Sequence, residues 1–161
     1  MNYSTQMEAA RKNIITEQMR IVAQKEHKDA EEIRALVASG KVVICANKLH
    51  KCLDPNGVGS MLRTKINVNL GVSRDCKDYD VEMSKVMEAV NMGAEAIMDL
   101  SSHGDTTEFR RKLTRECPAM IGTVPVYDSV IHYQRDLATL TAKDFIDVVR
   151  LHAQDGDRKS V

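Results

Sequence analysis

The most constraining feature of this chain is an even interval between strand-like runs. Lys65-Ile66-Asn67-Val68-Asn69-Leu70-Gly71 alternates strictly, with Ile66, Val68 and Leu70 on one face and Lys65, Asn67 and Asn69 on the other. One apolar face and one amide-lined face predict a strand with helices behind it and a polar site in front. Two further runs follow, Ala96-Ile97-Met98-Asp99-Leu100 and Met120-Ile121-Gly122-Thr123-Val124-Pro125. Asn69 to Met98 and Met98 to Tyr127 are both 29 residues apart, the length of one strand-plus-helix unit with short loops. Equal steps place equivalent corners side by side, so Asn69, Met98 and Tyr127 are expected to line one pocket.

The helices between these runs are marked by spacing and caps. Met83, Val86, Met87 and Val90 recur at helical intervals and Gly93 closes the segment. This methionine-rich face reads as core packing. Asp105 and Glu108 open the next helix, with Phe109 and Leu113 facing inward. Arg110, Arg111, Lys112 and Arg115 are expected to form a solvated face, with a phosphate or subunit contact as the other reading. Cys117-Pro118 ends that helix. The third strand is expected to run into Tyr127. Thr141 caps a last helix whose stripe is Phe145, Val148, Val149 and His152, and His152 reads as a packed side chain rather than a ligand.

Upstream, residues 4–13 and 17–27 read as short helices, the second capped by Thr16. A third opens at Asp29, with Glu32 three positions later, and ends at Gly40. Lys41-Val42-Val43-Ile44-Cys45-Ala46 is strand-like. Asp54-Pro55-Asn56-Gly57 is a turn. Gly57-Val58-Gly59-Ser60 reads as a connector, a phosphate loop being a weak match without a downstream lysine. Alternation of strands and helices implies a parallel sheet with right-handed crossovers. Near-equal units without a dinucleotide fingerprint favour a (β/α) barrel. The expected organisation is a helical arm with a short strand (1–60), three βα units (61–156) and an aberrant tail (157–161).

The chain has 161 residues, which predicts one domain. With 23 basic and 23 acidic residues there is no electrostatic pull toward nucleic acid or a membrane surface. No apolar run reaches membrane-spanning length and the N-terminus lacks a signal pattern, so a cytoplasmic protein is expected. Cys45, Cys52, Cys76 and Cys117 have no CxxC spacing and read as reduced, mostly buried thiols. Cys45, His50 and Cys52 fit no common zinc pattern.

Four blocks in order are familiar: Thr5-Gln6-Met7-Glu8-Ala9-Ala10-Arg11-Lys12, Lys65 to Gly71, Met98-Asp99-Leu100-Ser101, and Ile121-Gly122-Thr123-Val124-Pro125-Val126-Tyr127. Together they make the chain resemble the phosphomethylpyrimidine synthase family, in its short clostridial-type form, from about residue 4 to residue 156. The resemblance implies a radical S-adenosylmethionine lyase of thiamine biosynthesis on a (β/α)8 TIM-type barrel, here as its first three βα units behind the helical arm. It implies conversion of aminoimidazole ribotide to hydroxymethylpyrimidine phosphate. The implied cofactors are a 4Fe-4S cluster on a CxxCxxxxC run, S-adenosylmethionine, and a divalent metal such as zinc on later histidines. It also implies a homodimer. Carried over, its substrate contacts fall on Asn69, Met98 and Tyr127, and no catalytic or metal residue falls in this chain.

After Gly156 the chain reads Asp157-Arg158-Lys159-Ser160-Val161, where the family's fourth strand is expected as an apolar run. The expectation is a truncated or frame-shifted reading, catalytically inert alone, whose open edges require it to dimerise, swap or stay loosely packed. Two other readings share these blocks. One is 5-hydroxybenzimidazole synthase of anaerobic cobamide synthesis, acting on the same substrate, and the other is a non-catalytic remnant or binding fragment.

Overall fold

The computed structural model describes residues 3–157 and 159–160, so Met1, Asn2, Arg158 and Val161 lie outside it. The chain divides into two compact units, Met1–Cys45 with Pro55–Lys65, and Ala46–Asp54 with Ile66–Val161.

In the first unit, helices α1 (Gln6–Arg11), α2 (Glu17–Lys25) and α3 (Ala30–Ala38) precede strand β1 (Val42–Ile44). Each helix begins where a side chain takes an otherwise unpaired backbone N–H: Thr5 from Glu8, Thr16 from Met19, Asp29 from Glu31. Their inner faces bury Ala10, Met19, Val22, Ile33 and Val37 against Val42 and Ile44. Gly57–Gly59 is not a connector but strand β2, antiparallel to β1 with Val42 opposite Gly59. Gly59 is required by close packing. A Cβ on Gly59, at φ +145°, would meet the Lys41 carbonyl oxygen at 2.2 Å.

The second unit holds β3 (Asn67–Leu70), α4 (Tyr79–Asn91), β4 (Ala96–Asp99), α5 (Thr106–Glu116), β5 (Met120–Thr123), α6 (Pro125–Tyr133), a 3₁₀ turn, α7 (Ala142–Asp155) and β6 (Lys159–Ser160). The four strands form an open parallel sheet in the order β3-β4-β5-β6. Val68, Leu70, Ile97 and Ile121 project toward α4 and α5, where Met83, Val86, Phe109, Leu113 and Cys117 complete one core. Tyr79 stacks on Phe109 at 5.5 Å. The methionine-rich face of α4 is therefore packing, as its spacing requires.

Four expectations are corrected. Lys65 and Ile66 precede the first strand rather than belong to it: Lys65 is ion-paired to Glu26 in the first unit, and Ile66 is exposed. The third strand stops at Thr123, and a helix follows at once. Pro125 at its first position has the φ a helix needs and lacks only an N–H that would have had no partner. Arg110 is not on a solvated face but buried, at 2% exposure. The tail, expected not to supply the family's buried fourth strand, still pairs Lys159 and Ser160 in parallel with Gly122 and Thr123, since backbone pairing does not require apolar side chains. No helix among the described residues is long and apolar enough to cross a membrane.

Candidate functional site

The C-terminal ends of β3 to β5 carry the polar chemistry. In register, Asn69 lies opposite Met98, and Met98 opposite Gly122, so Asn69 and Met98 share one face of the sheet as their spacing predicts. Met98 is buried, while Asn69 is exposed and accepts a hydrogen bond from the Asn67 amide at 2.8 Å. Asn69, Leu70, Gly71, Ser73, Lys85 and Ser102 line an open depression of about 340 Å³. Tyr127 is not at a strand end. It lies in the first turn of α6, 48% exposed, because the helix begins before the position that equal spacing assigns to a strand corner.

The rim of the depression rests on two buried carboxylates that sequence reasoning missed. Glu82 on α4 is 0% exposed, accepts the Gly71 N–H at 3.0 Å and pairs with Lys85. Asp99, on the face of β4 opposite Met98, accepts both the N–H and the hydroxyl of Ser101, at 2.9 and 2.5 Å. Ser101 Oγ in turn accepts the Val72 N–H at 3.1 Å, tying the ends of β3 and β4 together. Burial pushes the Asp99 carboxyl up despite the hydrogen bonds from Ser101. An aspartate followed two residues later by a serine is a local turn signal that could have marked this pair.

A second polar cluster sits beyond β5. Arg110 donates from Nε and Nη2 to Asp155 Oδ2, at 3.1 and 2.8 Å, and from Nη1 to Asp128 Oδ2 at 3.4 Å. Asp128 also accepts from Thr106 Oγ1 at 2.6 Å and faces His152 Nε2 at 2.8 Å. His152 Nδ1 meets Thr123 Oγ1 at 2.7 Å, and that hydroxyl donates to Asp157 at 3.0 Å. His152 is thus a packed histidine, as its place on the apolar stripe suggests.

Burial alone would raise the Asp128 carboxyl. The hydrogen bonds from His152 and Thr106 and the charge of Arg110 outweigh it and hold the group below the ordinary carboxylate range. A depressed folded-state value contributes stability above the unfolded value of about 3.9, and that contribution is lost as pH falls through the folded value. Asp128→Asn is therefore expected to flatten the decline in denaturant midpoint below about pH 4. An acid limb as steep as that of the unsubstituted chain would contradict this.

The cluster and metal implied by the family resemblance do not fit the donors present. Cys52 Sγ donates to the Cys117 and Thr114 carbonyls, and Cys76 Sγ donates to Glu82. Burial pushes the Cys117 thiol up to about 11 and lowers His50, whose Nε2 is 2.6 Å from the Cys117 carbonyl oxygen. Among the described residues no three His, Cys, Asp or Glu side chains gather into a metal-holding group.

The chain matches the radical SAM ThiC family over residues 5–158. It is 59% identical over 156 residues to phosphomethylpyrimidine synthase of Alkaliphilus oremlandii (strain OhILAs), covering 97% of this chain and 36% of that protein. Against the protein of the same name from Clostridioides difficile (strain 630) it is 58% identical, and against that from Clostridium kluyveri (strain NBRC 12016) 56%, with the same coverage. The chain thus spans about a third of the length of these curated relatives. A match over residues 5–158, nearly the whole of its length, makes this chain a member of the radical SAM ThiC family.

Proposed function

We propose that this chain supplies one wall of the substrate site of a phosphomethylpyrimidine synthase acting on aminoimidazole ribotide. The observation that carries the reading is the register of Asn69 and Met98, adjacent on one sheet face at the strand ends where barrel enzymes bind ligands. In this reading the open parallel sheet is the beginning of a (β/α)8 barrel. The Asn69 amide donates to and accepts from imidazole or ribose groups, Met98 is a soft apolar wall, and the Tyr127 hydroxyl bonds a ribose or phosphate oxygen. The named relatives favour pyrimidine synthesis over the benzimidazole alternative.

Radical generation requires a cluster with thiolate ligands. These 161 residues contain no CxxCxxxxC run, so their part in the reaction is to bind and orient. Calorimetry is expected to detect aminoimidazole ribotide binding to the 161-residue chain. Asn69→Ala should weaken that binding about tenfold, the worth of one or two amide hydrogen bonds. Supplied with S-adenosylmethionine and reductant, the same polypeptide is expected to give no turnover. A folded chain that fails to bind the substrate would overturn the assignment, and turnover by the isolated polypeptide would overturn its inertness.

A further inference from the structure

Tyr127 stands on a helix with little of its own to hold it. The N-cap of α6 is Val124, with no side-chain cap hydrogen bond, and only Pro125 and Ser129 of the helix are buried. The next residue, Asp128, is where the helix is tied down. Its carboxylate takes Thr106 and Arg110 from α5 and His152 from α7. Adjacent helical residues project about 100° apart, so fixing Asp128 fixes the direction of Tyr127.

We propose that Asp128 and His152 are positioning residues that orient Tyr127 toward substrate through the anchored first turn of α6. The proposal rests on the reading above, in which Tyr127 touches the ligand. His152 is the discriminating position because its two ring nitrogens have different partners, Thr123 at Nδ1 and Asp128 at Nε2. A glutamine amide reaches the place of Nε2 and keeps the tie to Asp128. An asparagine amide reaches only the place of Nδ1 and keeps the tie to Thr123.

The test uses the 161-residue chain labelled with 3-fluorotyrosine, the Tyr127 fluorine resonance being the one lost in Tyr127→Phe. His152→Asn is expected to shift or broaden it, and His152→Gln to leave it near its original position. Aminoimidazole ribotide affinity should fall about tenfold in His152→Asn and less than about threefold in His152→Gln, the loss of one charged hydrogen bond against its retention. A resonance unmoved in both variants, or moved equally, overturns the proposal. So does a moved resonance with unchanged affinity. If the unsubstituted chain binds no ligand, the substrate reading fails and the fluorine comparison still decides the positioning. Should His152→Asn not fold, Thr106→Val removes one contact to Asp128 at nearly constant volume and carries the same comparison.

Discussion

Arg110→Ala is expected to cost about 3–5 kcal/mol of folding stability, the cost of breaking a buried ion pair by removing one partner. The guanidinium joins three helices: it leaves α5, grips Asp155 at the end of α7 and reaches Asp128 on α6. Without it, both carboxylates lose their buried counter-charge. Asp155 keeps Arg111 at 2.7 Å, but that side chain is mostly in solvent and its pairing is correspondingly screened. Arg110→Lys should recover only part of the loss, since one ammonium cannot donate in a fork to two carboxylates. Chemical denaturation of the full chain reads the effect. A loss below about 1 kcal/mol is the signature of an exposed pair and would mean that this face of α5 is solvated after all.

Gly71→Ala is expected to have the next largest effect, about 3 kcal/mol, from two separable sources. The residue sits at φ +143°, where an L side chain is strained by about 1–3 kcal/mol. Its Cβ would also stand 2.5 Å from the Ser101 nitrogen and 2.9 Å from the Leu100 carbonyl carbon, backbone atoms that no rotamer change can clear. Overpacking of that kind adds about 1–3 kcal/mol. Gly93→Ala is the internal control. It shares a positive φ of +98° but has nothing within 4 Å, so it carries the dihedral cost alone. Equal losses in the two variants would show that the close approach of the β3 and β4 loops contributes nothing. Because Gly71 and Ser102 both line the depression beside Asn69, Gly71→Ala should also weaken ligand binding more than Gly93→Ala does.

Several helix starts were legible because capping is local. Thr16, Asp29, Asp105 and Thr141 each stand one residue before a helix and accept a backbone N–H within three positions. The register of Asn69 with Met98 was legible for a different reason. Parallel units of equal length bring equal offsets together, whatever the helix between them contains. The same arithmetic failed for Tyr127, because it assumes that the third strand runs as far as the others. A proline two residues past Thr123 starts a helix instead.

What the linear chain determined by itself was the class of most of its elements, the direction of its sheet and its membership of the radical SAM ThiC family. Periodicity, caps and short blocks are properties of neighbouring residues. What only the tertiary structure decided was the fate of its charges. Arg110 and Asp128 look alike in sequence to exposed ions, and whether each meets water or a partner depends on elements many residues away. Arg110 is buried because α7 delivers Asp155 from 45 positions downstream, and no local pattern encodes that meeting. Burial is set by the sum of all packed surfaces, so it emerges only when the elements are assembled.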